Sequence, residues 1–241
     1  MKSDRVLLAY WPAPDNVVAG TTLRSGDESD LPAEPQWLTQ VHGDRAVALG
    51  TADFDNAEPE ADAVIGRQSG DLCVIRTADC LPILLCERGG SEIAAVHAGW
   101  RGLAAGVIDA TVAKMSAAPA SIIAWLGPAI AQPSFEVGDE VRAAFASAGF
   151  GVDERFSLND RGRWQADLFG LAADRLRSIG ISDLHGERVC TYTDPRRFYS
   201  YRRDGPTGRL LSFVQAVGRN ADDKSWASHP PRFADSQVVL A

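Results

Sequence analysis

The sequence predicts a single mixed domain of the α+β class, and three observations carry that prediction. Short apolar runs bounded by turn residues recur from Val17 to Val217, too brief for helices and suited to buried strands. Between them stand a few stretches of helical spacing, clearest at Leu103, Ala104, Val107, Ile108 and Met115. No internal repeat and no mid-chain linker divides the 241 residues, a length that supports a substantial core.

Taken in order, Val6-Leu7-Leu8-Ala9 is an apolar run too short for a signal-peptide core. Val17 to Thr22 reads as a strand that ends in Arg24-Ser25-Gly26-Asp27, and polar residues with prolines make Asp27 to Pro35 a loop. Trp37 to Val41, Arg45 to Leu49 and Ala61 to Gly66 read as strands, with Gly43-Asp44 turning between the first two. Leu72 to Thr77, Pro82 to Cys86 and Ile93 to His97 add three more, and Arg88-Gly89-Gly90-Ser91 is a hairpin-type break. A helix follows over Leu103 to Met115, then a strand over Ile122 to Leu126 that Gly127-Pro128 stops. Helices over Asp139 to Ala148 and Leu168 to Ile179 flank a charged stretch, Val152 to Arg163. Val189 to Thr193 and Leu210 to Val217 are the last strands. Residues 218–241 turn polar and contain Pro230-Pro231, the composition of a poorly ordered tail.

With 45% hydrophobic and 23% charged residues, the chain has globular composition. A net charge of −8 argues against nucleic acid or an anionic membrane as partner. No stretch approaches the length of a membrane span. Without an export signal, the four cysteines read as thiols or metal ligands, and the expected compartment is the cytoplasm.

The chemistry-bearing residues fall in three segments. Ile93-Ala94-Ala95-Val96-His97-Ala98-Gly99-Trp100-Arg101-Gly102 is an apolar run ending on a histidine at the start of a helix pattern. Thr77-Ala78-Asp79-Cys80-Leu81-Pro82 puts a cysteine at a strand start, after an acid. Gln40-Val41-His42-Gly43-Asp44 supplies a second histidine. Imidazole nitrogen and thiolate sulfur suit zinc, whose catalytic sites take three protein ligands and keep one position open. The dispersed spacing does not fit a zinc finger. On the residues alone, a buried small thiol and a merely hydrogen-bonded histidine remain the alternatives. Cys73, Cys86 and Cys190 sit in apolar runs and read as core. Gly99-Trp100-Arg101-Gly102 reads either as an anion cradle of backbone N–H groups beside a guanidinium or as an ordinary glycine-rich turn. Phe198-Tyr199-Ser200-Tyr201-Arg202-Arg203-Asp204-Gly205 alternates rings with arginines. It suits either a stacked base and a held phosphate, or an edge strand with a salt-bridged outer face.

Together these segments resemble the YfiH-type family, also called multicopper polyphenol oxidases, laccase-domain proteins or purine nucleoside phosphorylases. Further matching stretches are Trp37-Leu38-Thr39 before Gln40, Ala61-Asp62-Ala63, Trp125-Leu126-Gly127-Pro128, Phe135-Glu136-Val137-Gly138, Ala166-Asp167-Leu168 and Cys190-Thr191-Tyr192. They run in order from about Pro35 to Val217. The resemblance implies an α/β/β/α sandwich related to the cytotoxic-necrotizing-factor deamidases, and a zinc held by His42, Cys80 and His97. It implies a domain over residues 1–217, with a segment around 24–35 that is shorter than in relatives, where it helps line the pocket.

The function expected from this resemblance is zinc-dependent phosphorolysis of adenosine, inosine, guanosine and methylthioadenosine, with adenosine deamination beside it. Catalytic roles fall to Asp79, as proton carrier or orienter, and to Cys80 and His97. Arg101 is the candidate for phosphate, and Tyr199 and Arg202 for the remaining substrate contacts. The expected partners are a nucleoside and phosphate, with the chain a monomer or weak homo-oligomer. Copper is the alternative ion, since one thiolate and two imidazoles suit both metals. The alternative functions are a metal-free Cys-His hydrolase or deamidase, a hydrolase editing peptidoglycan precursors, a copper polyphenol oxidase, and a zinc-stabilised binding protein without activity.

Overall fold

The computed structural model describes residues 4–55 and 58–217. Its first strands are β1 (Val6–Leu8), β2 (Val17–Thr22), β3 (Ala46–Ala48), β4 (Ala63–Gly66) and β5 (Leu72–Thr77). Next come β6 (Leu81–Glu87), β7 (Ile93–Ala98), β8 (Ile122–Leu126), β9 (Glu136–Val137) and β10 (Phe156–Leu158). The last are β11 (Trp164–Ala166), β12 (Asp183–His185) and β13 (Leu210–Ala216). The α-helices are α1 (Trp100–Ala105), α2 (Val107–Lys114), α3 (Asp139–Ser147), α4 (Leu168–Ser178) and α5 (Tyr201–Asp204).

A six-stranded sheet runs in the order β12-β8-β6-β7-β4-β3, a four-stranded sheet in the order β1-β2-β13-β5, and β10-β11-β9 form a small third sheet. Alternation along β6 explains how the two large sheets stack. Ile83 and Leu85 face the helices with Leu103, Ile108, Phe145 and Phe169. Leu84 and Cys86 point the other way, against Cys73, Ile75 and Val214 of the four-stranded sheet. Each central strand is thus covered on both faces, which is why its sequence reads as a continuous apolar run. Beyond the second sheet, Val74, Leu211 and Phe213 are covered by Leu31 and Trp37. The layers follow the expected α/β/β/α sandwich, with the outer cover reduced to the 3-10 turn Glu28–Asp30 and its flanking loop.

Several elements differ from the sequence reading, each for a local reason. The helix over Leu103 to Met115 is two helices, broken at Gly106, whose φ of 101° lies where glycine alone is at ease. Trp37 to Val41 makes only a parallel bridge, Thr39 to Glu60, because the following amides turn to a side chain instead of a ladder. Val189 to Thr193 is likewise reduced to the bridge between Ala129 and Cys190. The Arg203 guanidinium takes the carbonyls of Thr191 and Tyr192 there. The charged stretch Val152 to Arg163 contains β10, which pairs with β11. The segment from Phe198 is not an edge strand: Phe198 is buried, and Ser200 caps the short α5 by accepting from the Arg203 amide. The expected tail, 218–241, lies outside the described residues.

This topology sets up the site. Pairing of β6 with β7 places Leu81 opposite Ala98 and Pro82 opposite His97, so Cys80 and Gly99 meet at one sheet end. Pairing of β4 with β7 places Ala63 opposite Val96, which brings Asp62 beside His97.

Candidate metal centre

The donor atoms of His42, Cys80 and His97 lie within 4.8 Å of one another. Three chain segments far apart in sequence supply them, and each is held differently. His97 ends β7, is buried, and donates its backbone N–H to the Asp62 carbonyl at 2.7 Å. Cys80 precedes β6, and Asp79 before it adopts a φ of 92°. His42 is exposed and sits at a φ of 61°, left-handed backbone that a histidine adopts only when its surroundings compel it.

Asp62 is that compulsion. Its buried carboxylate accepts from three successive amides, Val41 at 3.2 Å, His42 at 3.0 Å and Gly43 at 2.7 Å. The same carboxylate meets His97 Nδ1 at 2.7 Å. Burial opposes the charged form of Asp62, yet the His97 and backbone hydrogen bonds outweigh it and hold the carboxyl below its ordinary range. A carboxylate on Nδ1 leaves Nε2 as the free nitrogen of His97, the arrangement typical of metal-binding histidines. The His42 and His97 rings meet edge to face, with centroids 4.8 Å apart. Sequence reasoning quoted Ala61-Asp62-Ala63 but gave Asp62 no role; a lone acid at the start of an apolar strand was the available signal.

Electrostatics prepare the sulfur. Burial pushes the Cys80 thiol up, but hydrogen bonds and charge from His42 and His97 bring it down to about 6. Burial pulls His97 down, while Asp62 and the Cys80 sulfur raise it to about 9. The site therefore holds a thiolate at neutral pH. Cys73 and Cys86 are fully buried, burial raises both thiols, Cys86 to about 12, and they belong to the core as expected. Cys190 does not: it is half-buried and its sulfur accepts from the Ala131 amide at 3.4 Å.

Glycines close the site around the three candidate donors. A Cβ at Gly99 would stand 3.0 Å from Cys80 Sγ and 3.1 Å from His42 Cδ2, and one at Gly102 would stand 2.6 Å from the Gly43 carbonyl oxygen. The His42–Gly43 segment thus packs against the side of these two glycines where a side chain would stand.

The remaining sequence-predicted residues divide. Asp79 is buried, and its carboxylate accepts from Thr191 Oγ1 at 2.6 Å, Ser200 Oγ at 3.0 Å and the Arg202 amide at 2.7 Å. This geometry suits an orienter, tying the Cys80 segment to α5. Arg101 is exposed, with its guanidinium 4.4 Å from the Trp100 ring centroid. Arg202 donates to the Glu136 carbonyl at 2.8 Å and lies 5.5 Å from the Phe135 ring centroid. Both arginines line one cavity of about 350 Å³. Tyr199 lies elsewhere: its hydroxyl donates to the Arg24 carbonyl at 3.2 Å, and its ring covers Gly208.

The model of multi-copper polyphenol oxidoreductase laccases matches residues 14–217. The chain belongs to this family. Among its relatives is the purine nucleoside phosphorylase YfiH of Escherichia coli, 38% identical over 244 residues, covering 88% of this chain and 99% of that protein. Another is the purine nucleoside phosphorylase PA4543 of Pseudomonas aeruginosa, 42% identical over 235 residues and covering 85% and 95%. The crystal structure of Neisseria meningitidis NMB0706, a DUF152 protein, superposes with a TM-score of 0.81 at 36% identity, covering 89% of this chain and all of that one. YlmD of Geobacillus stearothermophilus shares the fold, with a TM-score of 0.72 at 24% identity over 85% of this chain and 93% of its own. No helix among the described residues is long and apolar enough to cross a membrane.

Proposed function

We propose that this chain is a zinc-dependent purine nucleoside phosphorylase with adenosine deaminase activity. The observation that carries the reading is the convergence of His42, Cys80 and His97, with Asp62 bonded to His97. Beside it, Trp100 and Arg101, which follow the Gly99 packed on Cys80 and His42, line a cavity with Arg202. The names of relatives at 38% and 42% identity support the phosphorylase activity.

The donor set fits zinc: two imidazoles and a sulfur already deprotonated at neutral pH. Bound there, zinc supplies Lewis acidity to an oxygen of the reactants. The family's description names copper, and the same donors suit it. Metal analysis of protein purified without added metal decides between the ions.

The residues divide the remaining work. Asp62 keeps His97 in one tautomer and holds the His42 backbone in place. Asp79 anchors the Cys80 segment to the amide of Arg202, whose side chain enters the cavity. Arg101 and Arg202 offer planar forks to phosphate oxygens. In phosphorolysis a phosphate oxygen bonds to C1′ of the ribose as the bond from C1′ to N9 breaks. The purine leaves with the electron pair, and the proton of hydrogen phosphate balances the products. Deamination adds water to the purine and releases ammonia, so it has less need of the arginines.

Measuring both reactions on Arg101→Ala tests this division. Phosphorolysis falls about 10- to 100-fold if a charge-assisted hydrogen bond of roughly 1.5–3 kcal/mol is lost, whereas deamination falls much less and zinc stays bound. Equal loss of both activities with a lowered Tm contradicts the role given to Arg101.

A second reading has one observation in its favour. Cys80, His97 and Asp62 are linked as nucleophile, base and orienter, with the thiol lowered to about 6, which suits a metal-free hydrolase or deamidase. Such a triad needs His42 only to help lower the Cys80 thiol, not as a metal ligand. Loss of activity together with metal in His42→Ala favours the phosphorylase; retained hydrolysis in metal-free protein favours the triad.

A further inference from the structure

The cavity lined by Arg101 and Arg202 has a third guanidinium, which nothing above assigns. Arg163 stands immediately before β11 and lines the same space as Arg101 and Arg202. Its backbone is pinned, with the amide donating to Asn159 Oδ1 at 3.0 Å and the carbonyl accepting from the Asn159 amide at 2.9 Å. The guanidinium has no carboxylate partner among the described residues. Arg101 is in the same state, stacked on Trp100 but without an acid.

The two carboxylates in the lining do not cancel this charge. Glu136 is already engaged by the Arg161 guanidinium and by Asn159 Nδ2. That leaves Glu140 as the one lining carboxylate set against three arginines. A space of about 350 Å³ takes a small molecule. Guanidinium groups without an acid partner, contributed by α1, α5 and the turn before β11, select a compact dianion, which they can grip by paired N–H donors.

We infer that Arg163, an exposed residue of the cavity lining, is a specificity-determining residue for phosphate. This rests on the phosphorylase reading. The shared ligand chemistry is a phosphate dianion, free as inorganic phosphate or esterified in ribose 1-phosphate. The hairpin that carries Arg163 is then part of the site, although its sequence gives no sign of a binding motif.

The test uses the full metal-loaded chain and compares Arg163→Ala and Arg163→Lys with the parent. With nucleoside saturating, KM for inorganic phosphate rises about 10-fold or more in Arg163→Ala, as expected for loss of a hydrogen bond between charged groups. The nucleoside KM, metal content and Tm stay unchanged, because among the described residues the exposed side chain makes no hydrogen bond or ion pair. Arg163→Lys recovers part of the loss by keeping the charge without the fork. An unchanged phosphate KM in Arg163→Ala overturns the inference. Calorimetric titration with inorganic phosphate and with ribose 1-phosphate separates it from the activity itself. Weaker binding of either ligand by Arg163→Ala upholds the inference even if the parent cleaves no nucleoside. A parent that binds neither ligand overturns it.

Discussion

His97 Nδ1 and Asp62 Oδ1 lie 2.7 Å apart, and that same oxygen accepts the backbone N–H of His42 at 3.0 Å. One carboxylate thereby governs both histidines of the candidate centre: the ring of one and the backbone of the other. The left-handed φ of 61° at His42 persists because Asp62 satisfies the amides on either side as well.

Asp62→Asn tests this coupling. An amide cannot accept at both positions, so its NH2 group faces a backbone N–H or the His97 ring. Leaving such a buried donor unpaired costs about 1–3 kcal/mol. For a chain of this size that is roughly 2–4 °C in Tm per kcal/mol. Metal affinity weakens by about 10- to 100-fold, the usual effect of removing a ligand's orienting partner. Competition titration against a chelator, with scanning calorimetry of the metal-free protein, measures both. Affinity equal to the parent's contradicts the role of Asp62.

Metal binding depends on pH in a definite direction. In the metal-free site Cys80 titrates at about 6 and His97 at about 9. Between these values the sulfur is already a thiolate while His97 still carries a proton that metal must displace. Apparent affinity therefore rises with pH, by up to about tenfold per unit for one proton, and flattens above 9. Below 6 the Cys80 proton adds to the competition and the dependence steepens. Calorimetry in buffers of different ionisation enthalpy should find close to one proton released from His97 near pH 7.5. Affinity independent of pH from 7 to 9 contradicts the thiolate–imidazolium pair.

Gly102→Ala probes the closing of the helix on the ligand loop. The added methyl meets the Gly43 carbonyl oxygen at 2.6 Å, a backbone atom that cannot move alone. Overpacking of this kind costs about 1–3 kcal/mol and displaces His42, so stability and metal affinity fall together. Gly149→Ala is a control of a different kind, since its open surroundings leave only the cost of its φ of 80°. A Gly102→Ala protein with normal metal binding would show that the loop and α1 are not coupled.

Asp79→Ala removes the acceptor of Thr191, Ser200 and the Arg202 amide at once. Stability drops by roughly 3 kcal/mol or more, as for other broken buried networks. If Asp79 is an orienter, Asp79→Asn recovers part of the fold and leaves the shape of the pH–rate profile unchanged. A profile that loses one limb in Asp79→Asn identifies it as the proton carrier instead.

The sequence was most legible where burial covers both faces of a strand. The runs Val17–Thr22, Leu72–Thr77 and Ile122–Leu126 end where the strands end, because apolar continuity and turn residues coincide there. Residue type and position singled out the segments of His42, Cys80 and His97, the family resemblance implied them as ligands, and their donor atoms converge. Asp62 was harder to see, since its partners are backbone amides of another loop and a ring 35 positions along the chain. Trp37 to Val41 looks like a strand by composition, yet its last amide, that of Val41, and the two that follow belong to that carboxylate. Gly106 was lost within an otherwise regular helical spacing, and only its φ of 101° breaks the helix. Tyr199 was grouped with Arg202 by adjacency, but the turn into α5 sends its ring to Arg24 and Gly208.

The most direct test of the central claim is product chromatography of adenosine and inosine incubated with chelated and with zinc-reloaded protein, each with and without phosphate. The account predicts free purine base and ribose 1-phosphate in equal amounts from the reloaded protein with phosphate. Without phosphate or without metal, neither should form, and adenosine should yield inosine only when metal is present. Release of base by the chelated protein, or of free ribose irrespective of phosphate, would contradict it.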